Sequence, residues 1–200
     1  MHTTVGRVAP VDELTQSRLI VFAIVGAIAA AWVIANRSGT RREKRFAELG
    51  QSLGVRVHRE SEFLSLFLID VNGRAFEVKR QHIGRMGWHL VTTTELSGVS
   101  ALHSADVRPR SKRKMQSPAS ADDFVIRDQG YPLKKGWLTA ATAQSLATFY
   151  DTELPLEPLF LEGGSLIHRS MSLLDKLDGP RLHDLLSRQG ALASQLERSL

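Results

Sequence analysis

Residues 66–79 read LFLIDVNGRAFEVK, and this stretch decides the fold class of the chain. Both halves are rich in aliphatic and aromatic residues. Asn72-Gly73 between them is the dipeptide that most strongly favours the type I′ turn of a β-hairpin. We therefore predict antiparallel strands over 66–71 and 75–79, joined by a two-residue turn.

Further strands are predicted on both sides of this hairpin. Residues 88–96 (WHLVTTTEL) would place alternate side chains on opposite faces, as a half-buried strand does. Residues 55–58 and 124–127 are short extended segments, and residues 159–168 (LFLEGGSLIH) form a second hairpin around Gly163-Gly164. Because hairpins pair their strands antiparallel, the sheet is predicted to be mainly antiparallel.

A helix is predicted directly before the first strand. Ser38-Gly39 interrupts the helical pattern that precedes it. Thr40 and Glu43 then have the spacing of a capping box, in which each side chain accepts a hydrogen bond from an unpaired backbone N–H. Gly54 suits the C-terminal cap of this helix.

Two more helices are predicted later in the chain. Residues 137–150 form one, with Thr139 near its start. Asp178-Gly-Pro180 starts the other, because proline is favoured in the first helical turn. Its stripe is predicted to pack on the sheet: Leu182, Leu185, Leu186, Gln189, Leu192 and Leu196.

An uninterrupted apolar run precedes all of these elements. Residues 19–35 read LIVFAIVGAIAAAWVIA, without a charged or strongly polar side chain. At about 1.5 Å per residue a helix of this length reaches roughly 25 Å, close to the lower limit for crossing a bilayer. We predict a transmembrane helix over 19–36. A buried helix of a soluble protein would show a polar face, and a signal peptide cleaved near 29–31 is the other alternative.

Basic residues follow this run more densely than they precede it. The net charge of +5 arises entirely after residue 36, because the two basic and two acidic residues before it cancel. The positive-inside bias therefore predicts an outside N-terminus and a cytoplasmic C-terminal part. The predicted segments are an extracytoplasmic N-terminus over 1–18, the transmembrane helix over 19–36, a basic juxtamembrane helix over 37–54 and a cytoplasmic domain over 55–200.

Two groups of residues are candidates for contacts at or within the membrane. Gly26 and Ala30 have the small-xxx-small spacing that lets two spanning helices approach closely, although an anchor without a helical partner explains the same residues. Basic side chains after the span can meet anionic headgroups, each contributing about 1 kcal/mol near an acidic surface, or serve only to enforce topology. They are Arg37, Arg41, Arg42, Lys44 and Arg45.

Residues 108–123 read RPRSKRKMQSPASADD and are predicted to form a flexible, solvated loop. Its basic residues at 108–114 could contact phosphate groups or lipid headgroups, or could simply be tolerated at a loop tip. Single-stranded nucleic acid is bound by basic residues interleaved with aromatic rings, and this loop has no aromatic residue. We therefore disfavour a nucleic-acid partner.

The chain carries none of the motifs that identify common catalytic or metal centres. It has no cysteine, which excludes disulfides and thiolate chemistry, and no phosphate-binding loop, dinucleotide fingerprint or nucleophile elbow. Asp122-Asp123, Asp175 and Asp178 fit turns and caps better than a calcium loop. We assign no catalytic, cofactor-binding or metal-binding residue and expect no cofactor. The histidines lack ligand spacing: His2, His58, His82, His89, His103, His168 and His183.

The order of these features resembles a loose set of bacterial single-pass membrane proteins that have no assigned activity. The matching pieces include Phe46-Ala-Glu-Leu-Gly50, Gly73-Arg-Ala-Phe-Glu-Val78, Trp137-Leu-Thr139 and Leu161-Glu-Gly-Gly164, with Phe124-Val125 between them. The resemblance implies an N-terminal anchor, a small cytoplasmic α+β domain and residence in the bacterial inner membrane. It implies no functional residue.

The chain is thus expected to be an α+β protein with one N-terminal transmembrane helix, followed by a mainly antiparallel sheet with about three packed helices. At 200 residues it suits one globular unit plus an appendage. The expected function is a membrane-tethered, non-catalytic binding or scaffold domain that recognises a protein partner beside the lipid bilayer. An anionic-lipid-sensing domain and an enzyme with an unfamiliar site are the alternatives.

Overall fold

The computed structural model describes residues 13–84, 87–110, 118–129, 133, 135–152, 157–171 and 173–200, and within these ranges it leaves the side chains of 13–21 and 28–38 undescribed. The chain divides into two compact units, Met1–Arg41 and Arg42–Leu200. Every residue of the described hydrophobic core lies in the second unit. That unit is the folded domain of the protein.

The folded domain is built on one eight-stranded sheet in the order β1-β2-β3-β4-β8-β7-β5-β6. All of its strand pairs are antiparallel, which confirms the predicted α+β class and sheet type. The strands are β1 (His58–Ser61), β2 (Leu64–Val71), β3 (Arg74–His82), β4 (Trp88–Glu95), β5 (Ser104–Pro109), β6 (Phe124–Asp128), β7 (Leu159–Glu162) and β8 (Ser165–Ser170).

The β2–β3 turn has the predicted type I′ geometry. Asn72 and Gly73 both have positive φ, +57° and +78°, as the two central residues of this turn require. The Gly73 N–H donates to Oδ1 of Asp70 at 2.9 Å. This local chemistry sets the register in which Ile69 pairs with Phe76.

Two strand predictions need correction. Residues 55–57 lie outside β1, which begins at His58. Residues 108 and 109, placed in the predicted loop, belong to β5, and β5 itself was not predicted. Its sequence, SADVRP, lacks a run of apolar residues; its pairing with β6 and β7 makes it a strand.

The three helices are α1 (Glu13–Ser52), α2 (Ala140–Tyr150) and α3 (Gly179–Ser199). The predicted break at Ser38-Gly39 is wrong, because α1 continues through it and the capping-box spacing at Thr40 does not start a new helix. One glycine inside a helix costs only about 1 kcal/mol relative to alanine and does not by itself end the helix. The predicted segment boundary at 36/37 is therefore not a secondary-structure boundary.

The predicted transmembrane helix lies within α1. Of its residues, only 22–27 have described side chains. Within the described part of the chain, no helix meets the length and hydropathy needed to cross a bilayer.

All three helices pack on the same face of the sheet. Phe67, Val78, Thr92, His168 and Leu159 are paired neighbours and form one row across five strands. The last turns of α1 reach this row where the Phe46 ring lies 5.2 Å from Phe67. From α2, the Phe149 ring lies 5.7 Å from that of His168. The predicted stripe of α3 is confirmed, since all six of its residues are buried.

Gly50 allows a close approach between α1 and the segment that leads into β1. A Cβ at Gly50 would overlap Cγ2 of Val57 and lie 3.4 Å from the carbonyl oxygen of Val55.

Gly50→Ala is expected to lower the free energy of unfolding by about 1–3 kcal/mol, because overpacking shifts both segments. Urea denaturation of residues 42–200, followed by tryptophan fluorescence, measures this. Ala47→Ser, one turn away and exposed, serves as the control; equal midpoints for the two variants would contradict the expectation.

Candidate functional site

The face of the sheet opposite the helices is a candidate binding surface. Successive residues of a strand point to opposite faces, so the neighbours of the core row point away from the helices. Pairing continues along one such row from Leu68 through Glu77, Thr93, Ile167 and Phe160 to Asp106. We call this surface the outer face; it consists of Leu66, Leu68, Glu77, Lys79, Val91, Thr93, Asp106, Phe160, Glu162, Ile167 and Arg169.

Apolar side chains are available to solvent on the outer face. Leu68 is 68% exposed, and Leu66, Phe160 and Ile167 are half-buried. None of these four belongs to the hydrophobic core or packs against it. Val91, buried on the central strand β4, lies between the leucines of β2 and the apolar residues of β7 and β8. The outer face therefore offers apolar contact area over several strands.

The charges of the outer face pair with one another. Nζ of Lys79 lies 2.6 Å from Oε2 of Glu77, and Nη2 of Arg169 lies 3.1 Å from Oε2 of Glu162. The Arg169 guanidinium also lies over the Phe160 ring, 4.7 Å from its centroid. Both signs of charge alternate here, so the surface has no strong preference for an anionic ligand.

The helix-facing side of the sheet buries polar side chains. Gln189 of α3 accepts a hydrogen bond from Oγ1 of Thr92 at 2.6 Å, and its Nε2 donates to the carbonyl oxygens of Thr92 and Leu166. Neither ring nitrogen of His168 has a hydrogen-bond partner. Burial lowers the pKa of His168 from 6.5 to about 4, which keeps the imidazole neutral at physiological pH.

A buried arginine and an aromatic cluster lie together at one end of the sheet. Arg80 of β3 is 1% exposed; its Nη2 lies 3.4 Å from Oγ of Ser65, and its guanidinium lies 4.0 Å from the centroid of the Trp88 ring. Burial lowers the pKa of Arg80, while the carboxylate of Glu43 opposes that shift. Trp88 in turn contacts His82 and Phe63 at ring distances of 5.1 and 6.5 Å.

The basic residues predicted to meet headgroups are only partly available. Arg41, Lys44 and Arg45 are exposed and Arg42 is half-buried, while the side chain of Arg37 lies outside the described residues. Glu48 pairs with Lys44 at 4.0 Å and with Arg45 at 3.6 Å, and Arg45 also donates to the carbonyl oxygen of Leu177. Part of the predicted basic cluster is therefore engaged within the folded domain.

The predicted helix–helix contact is described at one position only. Gly26 is exposed, and a Cβ there would meet no atom within 4 Å. The side chain of Ala30 lies outside the described residues. This prediction stays untested.

Two of the acidic residues assigned to turns and caps, Asp123 and Asp178, are found in those roles. Oδ2 of Asp123 accepts from the backbone N–H of Ser120 at 2.8 Å, and Oδ1 of Asp178 accepts from that of Arg181 at the start of α3. Among the described residues no group of three His, Cys, Asp or Glu side chains could hold a metal ion. Residues 111–117 of the predicted loop, which include three of its five basic residues, lie outside the described residues.

The outer face and the Arg80 cluster were not predicted from the sequence. The outer face includes Asp106 on β5, a strand that the local pattern did not reveal. Arg80 lies one residue beyond the strand predicted over 75–79, and no burial was predicted for it. Its place in the alternation Phe76, Val78, Arg80 was the available signal, because these three residues share one face.

Comparisons with known proteins give one structural likeness. No family model matches the chain, and no curated protein matches it. Among solved structures, the chain is similar to the crystal structure of the mycobacterial trehalose monomycolate transport factor A, TtfA. The identity is 13%, the match covers 81% of this chain and 95% of that chain, and the TM-score is 0.47. A likeness of this size assigns neither a family nor an activity.

Proposed function

We propose that this chain is a membrane-tethered, non-catalytic binding domain at the inner face of a bacterial plasma membrane, and that a protein partner docks on its outer face. The observation that carries the proposal is the half-exposed apolar surface of Leu66, Leu68, Phe160 and Ile167, which lies opposite the helices. Solvent-exposed apolar patches of this kind mark interaction sites.

The composition of the outer face favours a protein over other partners. Protein interfaces combine apolar and aromatic contacts with arginine and with charges of both signs. Phe160 under Arg169, flanked by Ile167, has this composition. A nucleic acid or an anionic lipid would be matched by an excess of basic residues, whereas Lys79 and Arg169 are each paired with a glutamate.

The tether rests on the sequence and on exposure within the first unit. The run 19–35 is apolar throughout, and the described side chains of 22–27 are all exposed, with Phe22 73% exposed. A bilayer would remove this surface from water at a gain of about 25 cal/mol per Å². By the positive-inside bias, the basic residues after the run favour a cytoplasmic folded domain and an outside N-terminus.

Site-specific photo-crosslinking in native bacterial membranes tests the docking surface. A benzoylphenylalanine at Leu68 or Phe160 is expected to yield one protein adduct of the same mass, and the same group at His183, exposed on α3, is expected to yield none. Introducing Ile167→Glu into the chain that carries the crosslinker at Phe160 should abolish the adduct, because the partner would then have to bury a carboxylate. His183→Glu in the same chain is the matched control and should leave the adduct unchanged. An adduct at His183 alone, or one indifferent to Ile167→Glu, contradicts this docking site.

Topology and catalysis have separate tests. Reporter fusions should give a periplasmic signal at the N-terminus and a cytoplasmic one at the C-terminus, and the reverse pattern contradicts the orientation.

Turnover by the full chain in a broad hydrolase and transferase screen would contradict the non-catalytic assignment and favour the enzyme alternative.

A further inference from the structure

The end of the sheet at Phe63 carries exposed aromatic and thioether side chains. The β1–β2 turn, the end of β3 and the start of β4 meet there, and the His82 N–H donates to the Phe63 carbonyl oxygen at 3.0 Å. Phe63, at the turn, is 57% exposed, and Met171, just after β8, is 49% exposed. We call Phe63, His82, Trp88 and Met171 the aromatic end.

The position of Phe63 is unusual for a residue of this type. Tight turns normally hold polar residues or glycine, because their side chains face water. The Phe63 ring instead lies 5.8 Å from His82 and 6.5 Å from Trp88, so three rings form a continuous surface. Trp88 is held from within by Arg80, whose guanidinium lies 4.0 Å from its centroid. The surface is therefore preorganised.

The first residues of the folded domain lie at this same end. Arg42 is its first residue, and the next residue, Glu43, is fixed by an ion pair of 3.1 Å with Arg59 of β1. Arg59 pairs with Ser65 in the sheet, and Ser65 pairs with Arg80, which lies on Trp88. The chain thus enters the domain beside the aromatic end.

We propose that the aromatic end inserts into the headgroup layer of the same bilayer that holds the anchor, an inference that rests on the proposed tether. Tryptophan favours the membrane interface, where its ring leaves water while its N–H stays hydrated, and an exposed phenylalanine is stabilised there because its ring leaves water. Only six residues, 36–41, separate the end of the apolar run from Arg42, so the tether keeps this end within reach of the bilayer. Glu60 and Glu62 flank the turn, so the attraction is apolar and independent of anionic lipid.

Fluorescence quenching in vesicles tests this insertion. The chain has no cysteine, so a single introduced cysteine carries one nitrobenzoxadiazole probe. The full chain is reconstituted in phosphatidylcholine vesicles containing a headgroup nitroxide lipid, with the probe at Glu62→Cys. The matched control is Leu102→Cys, an exposed apolar position between β4 and β5. Quenching should be greater at Glu62→Cys, and Phe63→Ser in the same chain should remove the excess.

Each outcome bears on one of the two proposals. A third probe at Ala27→Cys, quenched by an acyl-chain nitroxide, reports the tether by itself. If Ala27→Cys is quenched while Glu62→Cys matches Leu102→Cys, the tether stands and the insertion is wrong; if Ala27→Cys is unquenched, the tether is wrong. The insertion is also overturned if Phe63→Ser leaves the excess quenching unchanged, or if the excess disappears when the protein is diluted in lipid. Circular dichroism confirms that Phe63→Ser, at an exposed position, keeps the fold.

Discussion

Gln189→Leu is expected to lower the free energy of unfolding of the folded domain by about 2–4 kcal/mol, since it leaves buried polar groups without partners. Gln189 is fully buried, and it accepts from Oγ1 of Thr92 at 2.6 Å while donating to the Leu166 carbonyl oxygen at 3.0 Å. Leucine nearly matches its volume but replaces neither bond. Urea denaturation of residues 42–200, with fluorescence of Trp88 and Trp137, measures the loss.

A double-mutant cycle separates the hydrogen bond from packing. Thr92→Val removes the hydroxyl that Gln189 would otherwise satisfy. Because removing both partners leaves fewer unpaired groups than removing one, the double variant should be more stable than the sum of the two single effects implies. Strict additivity, or a single-variant cost below about 1 kcal/mol, would contradict the role given to this contact.

Acidification from pH 6.5 to pH 4 is expected to cost the folded domain about 3 kcal/mol through His168 alone. The pKa of His168 is lowered by burial from 6.5 to about 4 in the folded state. Between these values the unfolded chain binds a proton that the folded chain does not, so each unit of falling pH favours unfolding by about 1.4 kcal/mol. The stabilisation that the folded domain gains from neutral His168 is complete above pH 6.5 and is lost below about pH 4.

The variant His168→Leu isolates this effect. Its unfolding free energy should fall less steeply between pH 6.5 and 4 than that of the unaltered domain, whatever its stability at pH 7. Burial would raise the pKa of Glu197, but hydrogen bonds from Arg74 and the Ser97 N–H lower it overall. The unfolded Glu197 carboxyl binds its proton from about pH 4.5 downward, so the loss of this contribution begins near the lower end of the histidine window. It is the same in both proteins and cancels when their slopes are compared. Equal slopes for both proteins would contradict the assignment.

The elements that the sequence predicted correctly are those specified by local chemistry. The type I′ turn requires a positive φ at two successive residues. Asn72-Gly73 adopts this conformation readily, and few other dipeptides do. Asp178 and Pro180 start α3 through one capping bond and one fixed dihedral. These features need no knowledge of distant partners, so the hairpin and the third helix follow from the residues themselves.

Features that depend on distant pairing did not follow from the sequence. β5 is a strand because it pairs with β6 and β7, which begin 15 and 50 residues after β5 ends, while its own residues have weak strand preference. The outer face and the Arg80 cluster also depend on contacts between strands that the local sequence does not reveal. Leu68, Ile167 and Phe160 form one row only through the order of the strands, and Arg80 is buried because Trp88 and Ser65 enclose it.

The strand order also constrains the sequence of events in synthesis. Strands β1 to β4 join only sequence neighbours, so they can assemble as soon as residue 95 has left the ribosome. The next neighbour of β4 is β8, through pairs such as Leu90 with Ser170, and the helix that covers the row follows later still. Until then the meander exposes the unpaired backbone N–H and C=O groups along the edge of β4, which are a template for mispairing. Holding the nascent chain at a membrane would limit its encounters with other copies during that interval.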